Sequence, residues 1–318
     1  MKKIFKAGWV ILALGAVLAI VGAAFNGVKA VEFNGFKVQT VKKDTAITKT
    51  YAKKEFERIE FVNGSGYFVP MELEIRQGQD YSVSYSGSSR FEPKIDSKLI
   101  ITVPENVKLS FVKVNGNYDN IKLEKLNIAT LELEANSSEK LSLNEVTTER
   151  TDIDMNTDEV TLTNSKLNNG ELSLVADLVV SGGELTNINV KVDSEGRVYY
   201  KDGLVLNGGG TQLADEVYGY ESDDDNDADN DSDYVDNSEP SADLDADTIT
   251  IKGKYEIKNN TGVTRIMNAT VQGYRLTNKH GKNNLHDQQQ TNGGTLEENA
   301  DQADVLTLSS RTGENTVK

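Results

Sequence analysis

The 318-residue chain has no cysteine, two histidines, four prolines and one tryptophan. Without cysteine there is no disulfide framework, no thiolate metal site and no cysteine nucleophile to consider. Long amphipathic helical periodicity is missing too, which argues against Rossmann and TIM-barrel architectures. Cations are scarce: 34 Lys plus Arg face 50 Asp plus Glu, a net charge of −16. Phosphate binding depends on clustered Lys and Arg, so no nucleic-acid partner is expected. The deficit is local. Between Lys201 and Lys252 there is no Lys or Arg, while sixteen Asp and Glu accumulate, so this one interval holds the whole imbalance.

What is present begins with an apolar run. Ala7 to Phe25, AGWVILALGAVLAIVGAAF, contains nineteen residues without a charge. At about 1.5 Å per helical residue it spans close to 30 Å, the thickness of bilayer hydrocarbon. The expectation is a single-pass transmembrane helix held by Trp9, Leu12, Leu14, Leu18 and Phe25. Lys2, Lys3 and Lys6 favour a cytoplasmic start, which sends the bulk of the chain outside the cell membrane. The alternative is a signal peptide cut after Ala30, with Val28 as the second small residue and secretion as the outcome. Residues 1–30 are thus an anchor or signal, and 31–53 a linker.

From Tyr51 onward, short alternating runs such as ERIEFV, MELEI, YSVSY and KLIITVP read as half-buried strands. Between Leu126 and Val190 their spacing becomes regular. The apolar pairs Leu131/Leu133, Ile153/Met155, Leu172/Leu174 and Ile188/Val190 start 22, 19 and 16 residues apart. Leu141/Leu143, Val160/Leu162 and Leu178/Val180 form a second series, and Val146, Leu167 and Leu185 a third. Three interleaved series with a period near nineteen predict an all-β, right-handed, three-sided parallel β-solenoid over 54–210. Asn136, Asn144, Asn164, Asn168 and Asn169 are the expected corners, since Asn tolerates left-handed backbone. An irregular β-sandwich is the alternative. Residues 211–247 read as an acidic disordered loop, 248–276 as terminal β-coils, and 277–318 as a disordered tail.

The run from FERIEFVNGSG through SKLIITVPENVKLSFVKVNGNYDNIKLEKLNIATLELEANSSEKLSLNEV carries a resemblance. A strand ending in Val103-Pro104 and repeated L-x-L units, Leu131/Leu133 and Leu141/Leu143, resemble the bacterial domain-of-unknown-function family labelled "putative adhesin". The similarity covers about 54 to 206. It implies a β-solenoid-like fold in membrane-anchored cell-envelope proteins, an adhesive or stress-related role, and no established catalytic residues. The acidic interval and the tail depart from the family pattern.

Candidate chemistry is sparse. Asp225, Asp227, Asp229, Asp231 and Asp236 follow part of a calcium-loop spacing, but Asn230 stands where that loop has Gly and no helices flank it. Like charges in such a block normally make a solvated linker, so calcium association is expected to be weak and no other cofactor is expected. In the register above Glu132, Asp154, Ser173 and Asn189 form one outward row and Ser142 and Thr161 another, and Glu132 and Asp154 would serve as acid and base for glycan cleavage only at a suitable separation and with suitable pKa values. The bland reading of outward carboxylates is solubility. His280 and His286 lack further ligands at a metal spacing. Gly208, Gly209 and Gly210 read as a flexible exit, and Tyr67, Phe68, Tyr81, Tyr85 and Phe91 as an aromatic cap or a sugar-stacking surface. The expectation is a non-enzymatic, membrane-anchored extracytoplasmic binding or scaffold protein of the bacterial cell envelope. Its partner would be an envelope polymer or a membrane protein. An exported glycan-active enzyme and a purely structural spacer are the rivals.

Overall fold

The computed structural model describes residues 31–34, 37–40, 47–51, 55–62, 71–87, 97–193, 196–213 and 242–318. Within them the chain is all-β, with no helix. Two compact units divide it. The first, residues 1–47 with 88–92, contains an antiparallel hairpin of β1 (Val31–Asn34) and β2 (Lys37–Thr40). Trp9, Leu12, Leu14, Leu18 and Phe25 lie outside the described residues, and no described helix is long and apolar enough to cross a membrane.

The second unit follows β3 (Ile47–Tyr51) with β4 (Arg58–Val62), β5 (Met71–Gly78), β6 (Ser82–Gly87), β7 (Ser97–Pro104), β8 (Lys108–Asn115) and β9 (Asn120–Glu124). Three long strands come next, β10 (Asn127–Asn144), β11 (Thr147–Thr163) and β12 (Lys166–Ser181). They lead to β13 (Glu184–Val192), β14 (Val198–Lys201) and β15 (Val205–Leu213). The acidic interval 211–247 is not disordered at its ends: 211–213 belong to β15, and β16 (Leu244–Asp247) lies within it, followed by β17 (Thr250–Lys252), β18 (Lys254–Asn259), β19 (Val263–Met267) and β20 (Gly273–Asn278). The last are β21 (Lys282–Leu285), β22 (Gln288–Thr291), β23 (Gly294–Glu298), β24 (Val305–Ser310) and β25 (Glu314–Val317).

Strict alternation makes these strands: β7 reads buried then half-buried four times over, as a period-two pattern requires. The strands join in two mainly parallel ladders. One runs β4, β8, the first half of β10, β11 and β12, then β13, β15, β18, β24 and β20. The other runs β7, β5, β9, the second half of β10, β11 and β12, then β14, β16, β19, β25 and β21. Antiparallel strands end them: β23 beside β20, β22 beside β21, and β6 beside β7.

Inward positions stack into columns. One runs Ile121, Leu141, Val160, Leu178, Val198 and Leu244, all buried, and its middle three match the second periodic series. The first series is two residues out of step. Leu133 pairs with Ile153, Leu172 and Val190, whereas Met155 and Leu174 belong to the neighbouring column with Ala135 and Val192. Leu131 instead meets Thr151, Gly170 and Ile188. A slip of two keeps every residue on its own face, so hydropathy cannot detect it. Thr151 hides in the core because its hydroxyl bonds Thr148 at 2.7 Å. Gly170 sits where a Cβ would come within 1.6 Å of the Thr151 carbonyl. In the third series Leu167 and Leu185 are register partners, while Val146 lies over Ser165, whose hydroxyl accepts its N–H at 3.1 Å.

The turns form their own column: Lys125, Glu145 and Asn164 have φ of 54°, 52° and 47°, followed by Gly182 at 66°. Of the expected Asn corners, Asn164 and Asn169 adopt left-handed backbone, the latter within β12, while Asn136 and Asn144 lie in β10 and Asn168 in β12. Gly208 to Gly210 are not a flexible exit; they lie in β15, and a Cβ on Gly209 would come within 2.1 Å of the Ile188 carbonyl. Residues 277–318 are not a disordered tail but carry β21 to β25 and the end of β20. In consequence 248–276 is not the terminal part of the sheet.

Leu172 is fully buried. Leu172→Ala is expected to lower stability by about 2–5 kcal/mol, and Leu172→Asp to abolish the cooperative transition. Circular dichroism melts check both; an unchanged melt for the Asp variant contradicts the assigned column.

Candidate functional site

The outward faces carry the polar chemistry. On the first ladder, Lys113, Glu132, Asp152, Glu171 and Asn189 form one row, and Asn115, Glu134, Asp154, Ser173 and Lys191 the next. Glu132 and Asp154 are therefore in different rows, two register positions apart, rather than neighbours in one. Glu132 is engaged by the Lys113 ammonium at 3.1 Å, and Glu171 by Lys191 at 2.8 Å. Ser142 and Thr161 do share a row on the second ladder, with Lys122 before them and Val179 and Tyr199 after.

Charges pair mostly between neighbouring strands of a ladder. Lys140 meets Glu159 at 3.0 Å and Arg265 meets Asp245 at 3.3 Å, in each case between direct register partners. Thr161 also donates to Glu159 at 2.7 Å, and together with Lys140 it holds that carboxyl below its ordinary value. These groups are half exposed, so each pair contributes on the order of 0–1 kcal/mol. Their chemical effect is to fix the direction of long side chains along the row.

One carboxylate differs. Glu74 of β5 has a side chain only 5% exposed, with Arg76 Nη1 at 2.9 Å and Lys98 Nζ at 2.8 Å. Lys98 also reaches Glu72 at 2.8 Å. Burial pushes the Glu74 carboxyl up, but the Lys98 hydrogen bond and the charges of Lys98, Arg76 and Lys122 outweigh it and hold the carboxyl below its ordinary value. Lys98 is raised by the same contacts. In the core, Tyr200 and Tyr255 both bond the Thr211 hydroxyl at 2.8 Å. Burial pushes Tyr255 up to about 12 and Tyr200 well above its usual range, so both stay protonated and neutral.

Asp225, Asp227, Asp229, Asp231 and Asp236 lie outside the described residues, as do Tyr67, Phe68 and Phe91. Tyr81 packs edge-on against Phe56 with ring centroids 4.9 Å apart, and with Tyr85 it leans on the core. His280 and His286 flank β21 at opposite ends. The His280 amide donates to Asn278 Oδ1 at 3.1 Å, while His286 Nε2 lies 3.6 Å from Glu298 and its ring stands edge-on to Tyr274. Among the described residues no group of three His, Asp or Glu is placed to hold a metal ion.

A turn repeats three times in the C-terminal strands without leaving a trace in the hydropathy pattern. Asn259-Asn260-Thr261-Gly262, Asn278-Lys279-His280-Gly281 and Ser310-Arg311-Thr312-Gly313 follow β18, β20 and β24. Each glycine crowds a neighbouring carbonyl: a Cβ would fall 1.9 Å from Ala242 O at Gly262, and 2.0 Å from Gly313 O at Gly281. The signal was legible as a polar residue with glycine three positions on.

Because the folded Glu74 carboxyl is depressed, its contribution to stability is present above the unfolded value near 4.5 and lost as pH falls through the folded one. Melts recorded from pH 7 down to acid should show this loss, and Glu74→Gln should flatten that part of the curve. An identical acid slope in both proteins contradicts the assignment.

No family model matches the chain, and no curated protein matches it. A crystal structure described as a "putative adhesin" from Bacteroides fragilis is similar at 10% identity and a TM-score of 0.34, covering 87% of this chain and 98% of that one. Another, described as a "putative cell adhesion protein" from Clostridium sporogenes, is similar at 12% identity and a TM-score of 0.20, covering 87% and 99%. Both likenesses are too loose to carry a fold or a function over to this chain.

Proposed function

We propose that the chain is a membrane-anchored, extracytoplasmic binding or scaffold protein of the cell envelope, whose body is a parallel β-solenoid. The parallel, in-register ladders support the solenoid over a sandwich, in which antiparallel pairing dominates. The apolar run from Ala7 to Phe25 supports the anchor. The observation that carries the binding role is the outward rows: polar and charged groups repeat along a ladder about every 4.8 Å. Cross-strand ion pairs such as Lys113 with Glu132 and Lys140 with Glu159 hold their direction. A repeating array of this kind matches a repeating partner, an extended envelope polymer, better than a single small molecule. The resemblance to the adhesin-labelled family points the same way.

The soluble protein for the test must run from residue 45 to 318, because ending it at 276 would remove β24 and β25. Immobilised on beads and exposed to cell-wall extract, it should retain polymer in a salt-sensitive manner. Lys113→Glu together with Lys140→Glu should weaken that retention. Glu132→Gln with Asp154→Asn should leave any processing of the retained polymer unchanged. No specific retention identifies a spacer, and polymer breakdown lost in the carboxylate variant identifies a glycan-active enzyme. Since the chain lacks cysteine, Asp287→Cys gives a single thiol at an exposed position. A membrane-impermeant maleimide should label it on intact cells, and protection until lysis would contradict the outward orientation.

A further inference from the structure

The last strands in sequence are not the last in space. β24 lies between β18 and β20, and β25 between β19 and β21, all parallel. The intervening chain goes out first, builds β20 to β23, and then returns to fill the place between. Among the described pairings, β20 to β23 join the rest of the sheet only through β24 and β25. Residues 273–318 thus form one block, joined to the rest of the described sheet through β24 and β25 and through the chain at 268–272. There the Thr270 amide donates to Ile249 O, just before β17, at 2.8 Å, and the Ile251 amide of β17 donates to Thr270 O at 2.9 Å.

β24 and β25 have two seams, and the aliphatic layers are alike on both. Ile257 and Leu276 flank Leu308, and Ile266 and Leu285 flank Val317. The polar side chains are not alike. Toward β20 and β21, Asn315 Nδ2 donates to Asn283 Oδ1 at 2.9 Å and to Thr277 O at 3.1 Å. Asn284 Nδ2 donates to Glu314 at 2.8 Å, and Asn278 Nδ2 to Gly313 O at 2.7 Å. Toward the body, the side-chain contacts are Ser309 to Glu256 at 3.4 Å and the Gly253 amide to Asp304 at 2.7 Å, while the backbone amides of Val305, Arg311, Thr312, Glu314 and Lys318 donate to Gly253 O, Asn260 O, Asn260 O, Gly262 O and Ile266 O at 2.9, 2.9, 2.8, 3.2 and 3.0 Å. At this seam Thr264 keeps a buried hydroxyl oxygen, Oγ1, with no hydrogen-bond partner, and its register partner Asn315, which belongs to both seams, has an unpartnered Oδ1. Unmatched buried acceptors weaken a seam, and matched amides strengthen one.

We propose that residues 273–318 open as one unit along the seam between β18–β19 and β24–β25, and that this cap is exchanged between two copies of the chain. Opening bares the parallel edges of β18 and β19 with Tyr255, Ile257 and Ile266, a surface whose complement is a second copy's β24 and β25. The proposal is independent of the binding role above.

The test uses the full chain purified in detergent, free of native cysteine. Glu256 and Thr307 are register partners across the seam. A protein carrying both Glu256→Cys and Thr307→Cys should form a bond within one chain on oxidation, which verifies the geometry. Proteins carrying Glu256→Cys alone and Thr307→Cys alone, mixed and warmed below the main melt, should form a covalent heterodimer upon oxidation. An internal bond in the double variant with no heterodimer in the mixture overturns exchange. Hydrogen exchange on the native chain should show β20, β21, β24 and β25 losing protection together while β10 to β12 keep theirs. Thr264→Val, which removes one orphan acceptor, should slow that loss roughly fivefold or more. Protection lost in β20 to β23 while β24 and β25 stay with the body, or no slowing in the variant, overturns the assigned seam.

Discussion

The structure depends on parallel backbone hydrogen bonding in fixed register between strands about nineteen residues apart. Each strand supplies its neighbours with amides and carbonyls, and buried backbone groups without partners are too costly to leave. No single strand can cover its own apolar edge, so each inward column is shared: Leu141 is covered by Ile121 on one side and Val160 on the other. Cooperativity follows from that sharing, because damage at one level uncovers the next.

Register also organises what is outside. In-register stacking places like positions of successive strands above each other, so charge complementarity must be written into sequence at the same spacing. Lys113 with Glu132 and Lys140 with Glu159 obey it at a separation of nineteen residues each. Close backbone approach sets a different requirement, met by glycine at Gly170 in β12, Gly209 in β15 and Gly262 in a turn, where any Cβ would strike a neighbouring carbonyl. The body thus holds a dry aliphatic interior and a periodic polar exterior in one repeat. Toward its C-terminal end the interior becomes polar, as Leu244 gives way to Thr264, Asn315 and Asn283 down one column.

That change of interior explains where sequence reading succeeds and where it fails. The strands and inward faces of 54–210 are legible because Leu, Ile and Val alternate there. The offset between Leu133 and Ile153 is not, since period-two alternation is blind to a slip of two and Thr151 and Gly170 occupy core positions without looking apolar. The expectation of disorder beyond 277 fails for the same reason. Asn278, Asn283 and Asn315 are buried yet count as polar, and only their hydrogen bonds reveal the fold. Of the candidate site, the outward orientation of Glu132 and Asp154 was readable, but their membership of different rows was not. Glu74 was invisible, because an alternating strand gives no sign that its outward carboxylate is covered by Lys98 and Arg76.

Disulfide trapping in this cysteine-free chain measures the register directly. A disulfide requires Cα atoms about 4.4–6.8 Å apart. Glu132 pairs with Asp152, and Asp154 lies two positions along the adjacent strand. The account predicts that Glu132→Cys with Asp152→Cys closes a bond readily under mild oxidation, while Glu132→Cys with Asp154→Cys stays reduced under the same conditions. Ready closure of the second pair and not the first would contradict it.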